Sequence, residues 1–392
     1  MTEGMTERER LIESLTFGRP DHLPFEHAYG LMPGTLERWH AEGLPPEVTV
    51  EGTYGDERLK AYFGFTPRRP GLPVNFGLHP AFEPATLQET DDLLVTRDNM
   101  GIVRKMKKGV TSLAIPVEFP IQKPEDFADY NRRLQFDERR FGEGWLARCE
   151  EMRRNGWPLS AGWMGFYWFP RDLMGDEGLC VAYYEWPELL HDFLRTYADL
   201  LYAVSERLLE KVKVDVMHMG EDMCYRNGLM ISPSTYREFI LPHYQRLIRL
   251  YRDHGTRVFS VDTDGDVAEL LPLLVEAGVN VCLPMEVRAG NDIVAYRGQY
   301  GQHMAFSRGL NKLTLMDRPV SLAPGTEGMS LSPREAIDLE LDYRLKPMVE
   351  SGGYIAGLDH RVVPETSLDS FTYYVRRVRE MLGMDLDAPA FR

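Results

Sequence analysis

The sequence predicts an α/β protein of one domain over residues 1–392, a (β/α)8 TIM-type barrel with a β-hairpin-containing segment inserted after its first strand. Three observations carry this. From residue 157 onward short apolar runs alternate with long helical patterns, the rhythm of β-α units around a parallel sheet. The number of such units, seven or eight in a chain of this length, fits a barrel better than an open sheet. Each apolar run is followed by polar residues, where a barrel of this kind carries its reactive groups.

In chain order, residues 23–26 read as the first strand. Residues 43–140 break the rhythm: PRRPGLPVNFGLHPAFEP is Pro-rich, and LLVTRDNMGIVRKMKKGVTSLAIPVEFP alternates around a DNMG turn, which predicts a β-hairpin within a lid-like insertion. Strands follow at 159–164, 214–219, 257–261, 279–283, 304–307 and 353–356, which leaves the eighth without a place. Helices are expected at 187–212, opened by Glu185 and Glu188, and at 233–254, with Ser232 as N-cap and Gly255 as stop. Another at 267–277 closes on Gly278. Residues 317–332, carrying Pro, Gly and Ser, read as a second insertion forming a surface loop.

With 43% hydrophobic and 27% charged residues the composition is that of a folded chain, excluding disorder and collagen. No apolar run is long enough to span a bilayer, and the polar start MTEGMTERER points to the cytoplasm. Lys plus Arg number 45 against 60 Asp plus Glu, a net charge of -15 that repels nucleic acid and anionic membranes. The expected partner is a small-molecule substrate, and a homodimer stays open. Cys149, Cys180, Cys224 and Cys282 show no CxxC spacing and read mostly as buried, reduced thiols.

Residues after the apolar runs assemble a predicted mouth. They are Glu26, His27 and Tyr29, then Tyr167, Trp168 and Arg171, then His218, Glu221 and Asp222. Asp262, Asp264 and Asp266, Glu286 and Arg288, Arg308 and Asn311, and Asp359, His360 and Arg361 complete it. VDTDGD sets Asp262 and Asp264 two apart, able to point the same way, and GLDHR puts His360 at another strand end. Two carboxylates and an imidazole suit a divalent metal such as Zn, Mn or Fe. Asp264-Gly265-Asp266 reads equally as a turn and helix cap. His218 reads equally as a satisfied core histidine. Glu221 and Asp222, adjacent in VMHMGED, raise one another's pKa in a poorly solvated cleft, as a general acid or base requires, or stand exposed at a helix start. WMGFYWFP offers an aromatic wall, although such stripes are more often core. Arg308, Arg171, Tyr167, Trp168 and His27 are the candidate substrate contacts.

Several segments together resemble the uroporphyrinogen decarboxylase superfamily, which also contains zinc- and corrinoid-linked methyltransferases. TERERLIESLTFGRPDHLPFE is similar to its N-terminal helix, GRPD turn and first strand. WFPRDLMGDEGLCVAYYEWPELLHDFL, GEDMCYRNGLMISPSTYREFILPHYQRLI, LPMEVRAGNDIVAYRGQYG and GGYIAGLDHRVVPETSLDSFTYYVRRV resemble later units in the right order. The resemblance implies a (β/α)8 barrel. It also exposes two departures. Where the decarboxylases carry two arginines around Gln-Ala-Gly to grip the tetrapyrrole's carboxylates, FEHAYGLMPG holds none, which disfavours uroporphyrinogen as substrate. Where the methyltransferases carry His-x-Cys-Gly and a later Cys, Asp262, Asp264 and His360 stand, able to bind a metal but without thiolate. Asn311 replaces a usual Asp.

The expected function is metal-assisted methyl transfer between a small methylated substrate and a corrinoid supplied by a partner protein. Asp262, Asp264 and His360 would hold the metal, Glu221 with His218 or Asp222 would move a proton, and Arg308 or Arg171 would steady an anionic group. The alternative is a metal-independent decarboxylase, a carboxy-lyase acting on another carboxylated substrate, with Asp222 or Asp262 stabilising a cationic intermediate. A binding protein for a corrinoid or tetrapyrrole is the non-enzymatic reading.

Overall fold

A computed structural model describes residues 4–391 apart from 28, 52–55, 109–113, 321 and 327. Parts of the predicted hairpin stretch and of the 317–332 loop thus lie outside the described residues.

Helix α1 (Glu7–Leu15) starts at a capping box, in which Thr6 accepts from the Glu9 amide while the Glu9 carboxylate accepts from that of Thr6. Short helices α2 (Thr35–Ala41) and α3 (Glu57–Phe63) follow. Next come β1 (Ala85–Glu89), β2 (Leu93–Arg97), β3 (Val103–Lys107) and β4 (Ile115–Glu118), an antiparallel sheet in that order. The hairpin read at DNMG is its centre, β2 against β3. Asp98 Oδ1 accepts from the Met100 and Ile102 amides, and Gly101 takes the left-handed conformation at φ 88°. Two flanking strands make it four-stranded, because the edges of the hairpin find partners on both sides.

After α4 (Phe127–Arg133) and α5 (Trp145–Arg154) the β-α rhythm begins. Strand β5 (Ser160–Met164) leads to α6 (Trp168–Glu185) and α7 (Pro187–Leu209), and β6 (Val216–Gly220) to a small hairpin, β7 (Cys224–Tyr225) with β8 (Gly228–Leu229). The predicted helix at 233–254 is two: α8 (Pro233–Phe239), capped by Ser232 as expected, breaks at Ile240 before α9 (Leu241–Asp253), whose second residue is Pro242. Strand β9 (Val258–Asp262), α10 (Leu271–Ala277), β10 (Val281–Leu283), α11 (Ile293–Tyr300) and β11 (Ala305–Ser307) come next. The chain ends through α12 (Pro333–Glu340), α13 (Lys346–Ser351), β12 (Tyr354–Ile355) and α14 (Leu368–Met381).

Strands β5, β6, β9, β10, β11 and β12 pair in that order into one parallel sheet, and the six predicted runs from residue 159 on coincide with them. The seventh, at 23–26, is reduced to a parallel bridge between Phe25 and Ala356 at the β12 edge. The sheet does not close into a barrel among the described residues. On its free side Phe25 bonds to Thr66, not to β5 (Thr66 N to Phe25 O, 2.8 Å), and residues 66–76 run across the gap until Phe76 meets Trp163 of β5 at 5.1 Å between rings. Pro67, Pro70 and Pro73 punctuate that stretch, and a residue without N–H cannot donate to a ladder. This accounts for the unplaced eighth strand.

Helix α1 closes the N-terminal end of the sheet, where Leu11 and Leu15 pack with Val216, Val258, Val281, Ala305 and Ile355. Burying each such leucine is worth about 1.5–3 kcal/mol. Cys149, Cys224 and Cys282 are buried and Cys180 half-buried, all free thiols. No helix among the described residues is long and apolar enough to cross a membrane.

Candidate active site at the strand ends

Inside the curl of the sheet lies a cavity of about 420 Å³. It exists because the inward positions are small. Gly162 of β5 sits in register with His218 of β6, and His218 with Ser260 of β9, where a filled barrel interior would carry branched apolar side chains. His218 Nδ1 lies 2.9 Å from Ser260 Oγ, and burial, reinforced by Arg308 and Arg69, pushes its imidazole down to about 4, so the ring is neutral near pH 7. Above it, Arg69 bonds to Glu26, and Arg308 Nη2 approaches the other Glu26 oxygen at 3.6 Å. Burial opposes ionisation of Glu26, but Arg69 and Arg308 override it and hold the carboxyl below its usual value. Arg308 also lies over the Tyr29 ring, 4.3 Å from its centroid.

Asp262 ends β9 at this rim, and Tyr29 donates to its two oxygens at 2.9 and 3.0 Å. Burial pushes its carboxyl up to about 6, against the pull of Arg308 and Tyr29. It therefore stands apart from the metal-capable group found among the described residues, Asp264, Glu286 and His360, each offering a ligand atom within 4.8 Å of the others. The expected set is Asp262, Asp264 and His360; the group brought together here has Glu286 where that set has Asp262. The physical reason is strand geometry, because Asp262 still belongs to β9 and turns toward Tyr29, whereas Asp264 lies beyond its end. Gly265, at φ 87°, makes the intervening turn, and a Cβ there would come within 2.6 Å of Cys224 O. Asp266 caps the following turn through the Ala268 amide, so the turn-and-cap reading holds for Gly265 and Asp266 while Asp264 is left to face His360.

The donor set fits a divalent cation. Burial together with repulsion from Asp264 raises the Asp222 and the Glu286 carboxyls. His360 Nδ1 accepts from the Arg361 amide at 2.8 Å, and its Nε2 lies 3.8 Å from Asp264 Oδ2. Asp359, buried behind the site, accepts from the Val287 amide at 3.0 Å and the Lys312 amide at 3.1 Å and so fixes the backbone next to Glu286.

Other expected site residues serve the scaffold. Glu221 is 0% exposed. Its carboxylate accepts from the amides of Phe166 (3.0 Å), Tyr167 (2.8 Å) and Trp168 (3.0 Å), which lead into α6, and from the Tyr244 hydroxyl. Burial raises its carboxyl to about 7, with these four bonds pulling it back. Glu221, expected as a proton carrier, is here sealed beneath α6 and anchors the chain that enters that helix. Tyr167 is buried, its hydroxyl against Met230 Sδ, and with Phe166 and Phe169 it belongs to the core, so the aromatic stretch is core and not wall. Trp168 packs over Gly220 and donates to Asp172. Arg171 donates to Asp222 O at 2.6 Å and lies 3.6 Å from its carboxylate, so it braces Asp222. His27 is buried against Asp56 at 2.7 Å and lines a neighbouring cavity beyond Arg69 and Arg308.

Three non-glycine residues at the mouth hold left-handed backbone, Asp222 (φ 43°), Met285 (62°) and Arg308 (69°), local strain of the kind that clusters at functional sites. Sequence reasoning missed Arg69, which sits in the Pro-rich insertion at no strand end, and placed Glu286 at the mouth without grouping it with Asp264 and His360.

Residues 90–381 match the description of the uroporphyrinogen decarboxylase (URO-D) family, about three quarters of the chain. The chain belongs to the URO-D family. Uroporphyrinogen decarboxylases of two Thermus thermophilus strains are each 26% identical to it over 211 residues, 53% of this chain and 51% of theirs. The chain thus spans about half the length of the curated relatives it matches. Among solved structures, a methyltransferase from Methanosarcina mazei superposes with a TM-score of 0.58 at 16% identity, covering 96% of this chain and 99% of that one. At that identity the likeness is one of fold.

Proposed function

We propose that this URO-D family chain is an enzyme of metal-assisted methyl transfer, acting between a small methylated substrate and a corrinoid supplied by a partner protein. The observation that carries the reading is the convergence of Asp264, Glu286 and His360 near the strand-end rim of a cavity whose upper part is polar. The shared fold with a methyltransferase supports it. In this reading the strands complete a (β/α)8 barrel in the manner of the family, with residues 66–76 on the open side. Asp264, Glu286 and His360 hold a divalent Zn, Mn or Fe. Such a cation, when bound, supplies Lewis acidity toward the reacting group.

The chain's own side chains do the rest. Arg308 and Arg69 bind an anionic group of the substrate, the neutral His218 hydrogen-bonds within the cavity, and Asp222, braced by Arg171, takes or gives a proton at the rim. Metal analysis tests this first. About one equivalent in wild type, lost in Asp264→Ala, Glu286→Ala and His360→Ala, together with a colour change of added methyl-corrinoid, is the expected result. Absence of metal after loading with Zn, Mn and Fe would refute it.

A second reading is a metal-free decarboxylase acting on a carboxylated substrate other than uroporphyrinogen. Asp262 favours it, since a buried carboxyl held near 6 beside Arg308 can return a proton to a carbon that has lost carbon dioxide. Carbon dioxide release by metal-free protein distinguishes the two.

A further inference from the structure

The cavity is built in two halves. Its roof is Glu26, Arg69, His218, Asp262 and Arg308; its floor is Leu11 and Leu15 of α1 with Val216, Val281, Leu283 and Ile355, and Leu72, Val74 and Phe76 form an apolar wall. The two guanidinium groups of the roof face two carboxyls, yet not all of their donors are taken. Two guanidinium groups share the one Glu26 carboxylate, while Asp262 is taken by the Tyr29 hydroxyl. Nε of Arg69, and Nε and Nη1 of Arg308, are buried without a hydrogen-bond acceptor, although buried donors are ordinarily paired. Below them Gly162, at the centre of β5 between buried Ala161 and Trp163, is itself exposed, because it faces the cavity. Glycine in mid-strand marks a place where something else approaches the backbone closely.

We infer that the cavity binds a monocarboxylate with an apolar body, its carboxylate on Arg69 and Arg308 and its body pointing down the sheet axis past Gly162 toward Leu11 and Leu15. The inference rests on the reading that the strand ends are the active site, and it names the class of substrate they take. Guanidinium N–H groups left without an acceptor recognise a carboxylate through charge-assisted hydrogen bonds. About 420 Å³ suits a small molecule, within the range of ligand sites of roughly 300–1,000 Å³. The apolar floor selects for length, since each buried methylene strengthens binding about threefold to fourfold.

The test is calorimetric titration of the protein, as purified and again after chelation of metal, with straight-chain carboxylates from butyrate to decanoate, with phenylacetate, and with the matching amides. Affinity is expected to climb about threefold to fourfold per methylene to a maximum and then fall, with the amides at least tenfold weaker. Arg69→Gln, a change outside the sheet, should weaken the best carboxylate at least tenfold. Gly162→Leu, which fills the cavity, should abolish binding while its metal content matches wild type. Carboxylates binding no better than amides, or Gly162→Leu binding as wild type does, would overturn the inference. Since the metal-free protein is titrated separately, a failure of the metal reading leaves this result standing, and the reverse also holds.

Discussion

Glu221→Ala is the perturbation that separates the two roles this residue could have. The side chain is fully buried and receives three amide protons from residues 166–168 and one hydroxyl proton from Tyr244. Hydrogen bonds to a charged group are each worth about 1.5–3 kcal/mol. Four on one carboxylate do not add, and half or more of that sum is returned by the burial cost of the charge. The expected net loss is about 3–5 kcal/mol, the range for breaking a buried charged network. With unfolding entropy near 2.1 cal/mol/K per residue, 392 residues give roughly 0.8 kcal/mol per degree, and a fall in Tm of about 4–6 °C. Glu221→Gln keeps one oxygen for the Tyr167 and Trp168 amides and should lose about half as much. Thermal unfolding reads the magnitude, and amide hydrogen exchange at residues 166–168 reads the location, with faster exchange there than in α14. An Ala variant that melts within 1 °C of wild type with unchanged exchange would refute the anchoring argument. A Gln variant with native stability and exchange but no turnover would return Glu221 to proton transfer.

Asp264→Asn and His360→Gln should each lower metal affinity by at least tenfold, whereas Asp262→Asn should leave metal content unchanged by mass spectrometry; equal loss in all three would contradict the placement of Asp262. Asp359→Ala, which frees the Val287 and Lys312 amides, should cost about 2–4 kcal/mol in urea unfolding and weaken metal binding about tenfold or more without touching a ligand. His218 is held near 4, below the unfolded 6.5, so the native state binds fewer protons. Its neutral form thus favours folding at higher pH, and stability should fall as pH drops from about 6.5 to 4, by ~2 kcal/mol. His218→Asn should flatten that stretch of the stability–pH curve; an unchanged curve would show that the ring is solvated.

Much of the fold was legible because a strand announces itself locally. The runs that became β5, β6, β9, β10, β11 and β12 are apolar over four to six residues and bounded by turn residues, and Ser232 and Gly278 marked helix ends through their own backbone chemistry. The DNMG turn was readable for the same reason. What failed involved partners far away in sequence. Residues 23–26 look like a strand, but whether they complete a barrel depends on a neighbour, and the neighbour is a Pro-rich stretch that cannot donate a ladder.

The sequence by itself determined the α/β rhythm, the family resemblance and the polar character of the strand ends, since all three are written in periodicity and in short contiguous motifs. Only the tertiary structure decided which carboxylates meet. Glu221 and Asp222 are neighbours in the chain, yet one is sealed beneath α6 and the other faces the mouth, because successive residues leaving a strand point to opposite sides. Asp262, Asp264 and Glu286 are sorted in the same way, by a glycine turn and by a strand end 21 residues from Gly265. Arg69 reaches the site from an insertion that carries no motif. Side-chain direction and long-range approach are properties of packing, and packing is not local.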